Sequence, residues 1–585
     1  MCGITGLFQL NGQPVDPSLL TGMHEAVKHR GFDSQGIFID HDMGISNHRL
    51  RIIGEENEGI QPLHYKERYH FVFNGTLFNF KILAQKLEAE NIRINRSSDT
   101  EIAFRWLIHF GINKIDTWDG MFSFIFYDAK IKTIWIRRDP LGIKPLYYAY
   151  LNGYLAFSSE TKSFFHFPAW TFQVENEKIS HFLSTGEREI RGNPFWKKAK
   201  AVPLGCTFIL HYQGNRHFQL TIAADKLVKP LLSDIPPKPL PFKEAISQGS
   251  LALENALNTH ISGNGPVGLA LSGGLDSALI LSYLKYLHPQ KTLPVISYSE
   301  IENREINLLK NHFTADYYSI PVPSWEEFQE THGNLISLSE GPLPAPNVVY
   351  HFNIYAFAKN IGIKIMLSGQ GADELFMGYP GFLKSYWTEL YTEKNYKKLI
   401  SEILWTSVLR KDLYPYFLQF LKRWLKEPPR SELVPLNLIR ENALFNSNLP
   451  YLLQTEDRHS LANNIEARVP FLDQQLQAFA RCLPSNYAIH RGKQKWILRA
   501  IGQDLLPDSI LCHYIKKGFP ARMPELNQSE KKAFISDLCG FFSQKYHYLL
   551  PTIDPVKLFY QYPTLAWRIN SLQKWTKIYN IQFSQ

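Results

Sequence analysis

Leu269-Ala270-Leu271-Ser272-Gly273-Gly274-Leu275-Asp276-Ser277-Ala278-Leu279-Ile280 decides how this chain is read. The apolar run Val267–Leu271 predicts a buried strand of a parallel sheet, Ser272–Ser277 a small glycine-bearing turn, and Ala278–Leu284 a helix. Where a strand hands over to a helix, the first helical N–H groups lack partners and the dipole end is positive, so the loop suits an anion. Gly273 and Gly274 let the backbone approach a phosphate, and Ser272 and Ser277 add hydroxyl donors. Asp276 repels such a ligand unless a divalent cation lies between them, which implies Mg2+ bound together with pyrophosphate. GxxxxGK[ST] is absent, so the loop is not a Walker A motif.

The length of 585 residues predicts several domains, and 44% hydrophobic with 14% aromatic residues supplies sizeable cores. No run of about 18 apolar residues occurs and the N-terminus lacks the basic-then-apolar pattern of a signal peptide, so a cytoplasmic protein without a membrane partner is expected. Cys2, Cys206, Cys482, Cys512 and Cys539 are too few and too scattered for a disulfide scaffold or a zinc site. The formal charge of +9 is spread without a dense basic run, so no nucleic-acid partner is expected.

The Ser272–Ser277 sequence SGGLDS resembles the pyrophosphate loop of the ATP pyrophosphatases, enzymes that split ATP between its α and β phosphates to adenylate a substrate. A second such stretch is Ile363-Lys364-Ile365-Met366-Leu367-Ser368-Gly369-Gln370-Gly371-Ala372-Asp373-Glu374-Leu375-Phe376, an apolar strand ending in a glycine-rich turn with a carboxylate. It resembles the SGxGxDE stretch of asparagine synthetases, and Ile465-Glu466-Ala467-Arg468-Val469-Pro470-Phe471-Leu472-Asp473, Gly492–Arg499 and Lys516-Lys517-Gly518-Phe519 resemble further elements of that family.

The resemblance implies that Leu271, Ser272, Gly273, Gly274, Asp276, Ser277, Tyr298, Ser368 and Gly369 bind ATP. Tyr298 closes the strand predicted from Pro294, its backbone bordering the adenine, and Asp276 and Asp373 hold Mg2+. Lys495 would neutralise departing pyrophosphate, a point-charge role suited to lysine, with Lys493 as local rival. Gln370 stands where many members have a glutamate tied to acyl-adenylate formation, which opens the question of the acceptor.

The chain starts Met1-Cys2-Gly3-Ile4-Thr5-Gly6. Removal of Met1 makes Cys2 the N-terminus, joining a thiol nucleophile to an α-amino base of pKa about 7.7 to 8.0. His29-Arg30-Gly31-Phe32-Asp33, Asn47–Ile53, Gln61-Pro62-Leu63, Phe73–Asn79 and Ser98–Glu101 follow. In order and spacing they resemble the class II glutamine amidotransferase domain. That resemblance implies attack by Cys2 on the glutamine amide, an oxyanion hole from the Asn74 side chain and the Gly75 N–H, Arg49 on the α-carboxylate and Asp99 on the α-ammonium. Leu50, Ile52, Ile53 and Thr76 complete the glutamine pocket. Phe32 replaces the proline of HRGPD, and Thr76 replaces the glutamate of NGE that helps hold the ammonium.

The resemblance implies an α+β N-terminal αββα sandwich of N-terminal-nucleophile type, and the strand and helix alternation after it an α/β domain with a doubly wound parallel sheet and a helical C-terminal part. The expected division is a glutaminase domain at 2–215, a Pro-rich linker at 216–241, an ATP-pyrophosphatase domain at 242–520 and a helical extension at 521–585. The implied reaction is ATP-dependent amidation of a carboxylate, aspartate by family frequency, with ammonia from glutamine and release of AMP and pyrophosphate. The same chemistry on another acid, such as a sugar acid or a natural-product acid, is the alternative suggested by Gln370 and by Glu340-Gly341-Pro342-Leu343-Pro344-Ala345-Pro346. A non-catalytic binding protein on this scaffold is the reading from another class. The small-molecule substrates are the expected partners, with a homodimer allowed.

Overall fold

The computed structural model describes residues 2–94, 98–188, 193–213, 217–224, 240–298, 304–410, 435–514, 522–543 and 554–583. Most of the Pro-rich linker, 225–239, and the Lys516-Lys517-Gly518-Phe519 element lie outside the described residues.

Thirteen strands of the N-terminal part are described: β1 (Cys2–Gln9), β2 (Ser34–Asp40), β3 (Met43–Arg49), β4 (Leu63–Tyr65), β5 (Tyr69–Leu77), β6 (Gly120–Asp128), β7 (Thr133–Arg138), β8 (Tyr147–Leu151), β9 (Tyr154–Ser158), β10 (Gln173–Val174), β11 (Ala199–Ala201), β12 (Cys206–Gln213) and β13 (His217–Ala224). Twelve of them form two six-stranded antiparallel sheets, in the orders β11-β8-β9-β1-β3-β2 and β13-β12-β7-β6-β5-β4. Alternation along each strand builds the layers. Ile4, Phe8 and Ile45 of the first sheet meet Val72, Ile125 and Ile136 of the second in one core. Leu7 points the other way, onto Leu20 and Met23 of the helix Pro17–Ala26. Phe71, Phe73 and Phe124 cover the helices Phe80–Ala89 and Asp99–Phe110. The result is the αββα sandwich. Its second sheet runs on to Ala224 through β13, which pairs with β12 along its whole length.

The second part carries a five-stranded sheet of β14 (Val267–Ala270), β15 (Pro294–Tyr298), β16 (Asp316–Ile320), β17 (Ile365–Leu367) and β18 (Glu466–Arg468). All neighbours are parallel and the order is β16-β15-β14-β17-β18. Strand order therefore reverses at β14, and the crevice between the carboxyl ends of β14 and β17 is the place where doubly wound sheets bind ligands. One boundary differs from the sequence reading: the helix after β14 starts at Leu275 and runs to Leu287, so Asp276 and Ser277 belong to its first turn. Side-chain hydrogen bonds favour the early start, since Ser277 Oγ donates to the Gly274 carbonyl.

The C-terminal residues form helices Gln528–Ser543, Pro555–Gln561 and Pro563–Tyr579. A last short strand, Gln582–Phe583, lies parallel to β10. Trp567 and Trp575 share one core with Trp196 of the N-terminal part and Leu343 of the second, so the final helix packs against both.

Candidate functional site

Two centres lie on opposite sides of the junction between the two parts. In the first, Cys2 is 3% exposed and stands opposite Arg49 in the β1–β3 register. Its backbone nitrogen donates to Asn74 Oδ1 at 2.9 Å, and Gln61 Nε2 approaches its Sγ at 3.6 Å. Asn74 and Gly75 sit inside β5, opposite Ser123 and Phe122 of β6, so this Asn-Gly pair is strand and not a hairpin turn. With Oδ1 committed to Cys2, the buried Asn74 Nδ2 is a donor without a partner among the described residues. A buried, unspent donor beside a thiol is what a developing oxyanion needs.

Arg49 is 4% exposed, touches the Ile53 carbonyl at 3.4 Å, and has no carboxylate partner among the described residues. Leu50 and Ile52 are buried and Ile53 is partly buried, all against an apolar core shared with the second part. Asp99 is the first residue of its helix, which Ser98 caps, and Asp99 Oδ1 accepts from the Thr100 N–H at 2.8 Å. Its Oδ2 accepts from the Leu77 N–H at 3.0 Å. Burial pushes its pKa up to about 6, with the Leu77 N–H pulling the other way. Thr76 Oγ1 donates to both Glu466 oxygens, at 3.1 and 2.9 Å, across the junction.

The second centre is the β14–β17 crevice. Ser272 Oγ and Ser277 Oγ lie 3.3 Å apart at the loop mouth, and Gly369 faces Asp276. Lys495 Nζ reaches Asp276 Oδ1 and Oδ2 at 2.7 Å each and Asp373 Oδ1 at 2.6 Å. Burial alone would depress the Lys495 pKa; the two carboxylates outweigh it and hold it above the usual lysine value. Gly378 makes this meeting possible, because a Cβ there would lie 1.9 Å from Asp373 Oδ1 and 2.2 Å from Lys495 Cε. Lys493 lies elsewhere, its ammonium over the Trp496 and Tyr514 rings. Two hard carboxylates already drawn to one cation form a donor set that fits Mg2+.

Next to these groups is a cavity of about 480 Å3, lined by Ser272, Asp276, Ser277, Ser368, Gly369, Gln370 and Asp373. Leu271 is fully buried, its N–H on the Ile296 carbonyl. Tyr298 turns its ring into the core, its hydroxyl on the Tyr350 carbonyl at 2.9 Å, and is not among the residues that line the cavity. Several cavity residues carried no sequence signal: His351 on Asn347–Asn360, Tyr451 and Thr455 on Asn448–Ala462, Thr185–Glu187 from the N-terminal part and Arg568 from the last helix. Glu340 does not line it; buried, it accepts from the Thr161 and Lys162 N–H groups and from Arg458, clamping the junction.

Arg30, quoted in its motif without a role, is the main tie between the centres. It donates to the Cys2 carbonyl at 3.2 Å, to Glu160 at 2.7 Å and to Asp457 of the second part at 2.7 Å. Asp457 also takes Lys144 at 3.3 Å. All four side chains are buried and paired, as buried charges must be.

Residues 1–220 match the glutamine amidotransferase domain family, and residues 250–540 match the asparagine synthase family. The chain belongs to the glutamine-hydrolysing asparagine synthetase family. Asparagine synthetase [glutamine-hydrolyzing] 1 of Bacillus subtilis is 27% identical, over 92% of this chain and 90% of its own. Asparagine synthetase B of Escherichia coli is 25% identical over 87% and 80%, and a putative asparagine synthetase of Methanocaldococcus jannaschii is 26% identical over 83% and 81%. As a member of this family the protein is a glutamine-hydrolysing ligase that performs glutamine-dependent amidation, with the nucleophile sandwich and the parallel-sheet domain each carrying one centre. No described helix is long and apolar enough to cross a membrane.

Proposed function

We propose that the enzyme converts aspartate to asparagine through an acyl-adenylate. The observation that carries this reading is the convergence of Asp276, Asp373 and Lys495 at the switch point of a sheet that shares one apolar core with Leu50 and Ile52 of the N-terminal part. In the first centre, Cys2 attacks the glutamine side-chain amide, its own amino group taking the thiol proton. The amino group returns that proton to the leaving nitrogen as the C–N bond breaks, so that ammonia departs and water then hydrolyses the glutamyl thioester to glutamate. Asn74 Nδ2 and the Gly75 N–H receive the oxyanion, Arg49 the α-carboxylate and Asp99 the α-ammonium.

In the second centre, Ser272, Gly273, Gly274 and Ser277 cradle the phosphates of ATP, with Leu271, Tyr298, Ser368 and Gly369 framing the nucleotide. Asp276 and Asp373 hold Mg2+, which when bound screens the phosphate charge from these carboxylates. The acceptor carboxylate attacks the α-phosphorus and pyrophosphate leaves. Lys495 meets the charge on the departing group, and Gln370 borders the acceptor as a neutral amide. Ammonia then displaces AMP. Leu50, Ile52, Met121, Leu141 and Ile143 share one core with Leu367, Val469 and Leu472, and this apolar seam supports an ammonia path that excludes bulk water. The division at 2–215, 216–241, 242–520 and 521–585 is part of this reading, as is a cytoplasmic location.

AMP, pyrophosphate and asparagine are measured with MgATP and glutamine, with and without aspartate. Equal amounts of AMP and asparagine that require aspartate support the reading. Glutaminase activity without aspartate-dependent AMP overturns it.

A further inference from the structure

Arg568 lies in the helix Pro563–Tyr579, outside the residues that match either family, yet it lines the same cavity as Asp276, Ser368 and Gln370. Its Nε donates to the Pro344 carbonyl at 3.3 Å, Nη1 to the carbonyls of Leu183 and Ser184 at 3.0 and 3.1 Å, and Nη2 to that of Thr185 at 3.0 Å. A guanidinium has five N–H donors, so one Nη2 hydrogen is uncommitted. Every one of these partners is a neutral carbonyl, and no carboxylate pairs with Arg568 among the described residues. Burial pushes its pKa down, as expected for a cation without a counter-charge. Gly186 seats it closely: a Cβ there would come within 2.6 Å of Nη2, at a φ of +84°. The next residue, Glu187, lines the same cavity, with its Oε2 2.7 Å from His181 Nε2.

A cation held in place by carbonyls, in a cavity that Glu187 also lines, is complementary to a ligand carrying both signs. We propose that Arg568 is a specificity-determining residue that receives a second carboxylate of the acceptor, the one that is not adenylated, so that the cavity selects dicarboxylates. The inference rests on the acceptor reading above. For aspartate that group is the α-carboxylate, and Glu187 faces the α-ammonium.

β-Alanine is aspartate without its α-carboxylate, so the pair isolates this contact. With saturating MgATP and ammonium, which bypasses Cys2, AMP release by the full-length enzyme is compared for the two acids. The expected preference of the native enzyme for aspartate in kcat/KM is on the order of a hundredfold. In Arg568→Gln it falls to within about tenfold, mainly through the aspartate KM, while the KM for ATP and glutamine hydrolysis stay unchanged. Arg568→Lys recovers part of it. Gly186→Ala, which crowds Nη2 without changing charge, is the second variant should Arg568→Gln fail to fold, with the same expectation.

A preference that survives in these variants overturns the proposal, as do equal losses toward ATP, glutamine and aspartate, which mark a helix that only holds the fold. If the native enzyme uses neither acid, the aspartate reading alone is lost, and succinate against propionate is the deciding pair. A preference for succinate that disappears in Arg568→Gln upholds the proposal, and no preference overturns it.

Discussion

Thr76 Oγ1 donates to Glu466 Oε2 at 2.9 Å, so a residue of β5 in the N-terminal part and a residue of β18 in the parallel sheet form one hydrogen-bonded unit, 390 positions apart in sequence. Glu466 is fully buried; burial opposes its ionisation, but Arg468 at 2.6 Å holds its pKa below the usual carboxylate value. The position that departs from the usual NGE pattern thus serves the junction. Thr76→Val leaves a buried charge short of a donor, and a loss of about 1.5–3 kcal/mol is expected from urea unfolding. Thr76→Ser retains the donor and stays near the native midpoint; equal midpoints for all three proteins would remove the bond from the account.

Asn74→Ala removes the unspent donor beside Cys2. Glutaminase kcat is expected to fall about 10²–10³-fold, whereas ammonium-dependent synthesis is unchanged. A comparable fall in both activities would mean that Asn74 acts on the fold and not on the oxyanion.

In the role proposed for it, Asp99 would bind an ammonium only when ionised, and burial places its pKa at about 6. Glutamine kcat/KM is therefore expected to rise with pH through about 6 and level off above it. Asp99→Asn abolishes that limb of the profile. The sign for stability is opposite: a carboxyl whose pKa is raised by folding favours the folded state below its unfolded value, and that contribution is lost as pH rises through about 6. A flat glutamine profile between pH 5 and about 7 speaks against the assignment.

Lys495 bridges Asp276 and Asp373, the two carboxylates proposed to hold a divalent cation. Lys495→Met should bind Mn2+ without nucleotide more tightly than the native protein, on the order of tenfold, read by paramagnetic resonance or calorimetry. Synthesis by the same variant should be severely reduced while glutamine hydrolysis persists. Unchanged or weaker Mn2+ binding refutes the exchange of one cation for the other.

Arg30 compensates Glu160 and Asp457 in the buried junction. Arg30→Met leaves them with Lys162, His29 and Lys144 only, and about 3–5 kcal/mol of stability is expected to be lost in a denaturant titration. Burial opposes the Glu160 charge, but His29, Lys162 and Arg30 together hold its pKa well below the reference 4.5. Its contribution is therefore complete at neutral pH and is lost only as the solution becomes more acid than 4.5. A native protein whose stability already declines between pH 7 and about 5 on account of Glu160 contradicts this sign.

The sequence by itself determined the elements whose chemistry is local. Val267–Leu271 followed by SGGLDS, and Ile365–Leu367 followed by Ser368–Asp373, carry strand, turn and charge within a dozen residues, so the parallel sheet, its loops and the pairing of Asp276 with Asp373 were legible. The sandwich was legible only through the resemblance of the N-terminal motifs to the class II glutamine amidotransferase domain and not through periodicity, since every residue of β1 is buried. The start of the helix at Leu275 was not legible, because a serine hydroxyl bound to a nearby carbonyl shifts a boundary without changing the apolar pattern. Tertiary structure alone decided the contacts between the parts: Thr76 with Glu466, Arg30 with Asp457, and Arg568 with Thr185. Such pairs are hundreds of residues apart, and a lone threonine, arginine or glutamate on a helix or strand looks the same whether it faces water or a buried counter-group. Which of these it faces is fixed by how two folded parts and the final helix close over one cavity.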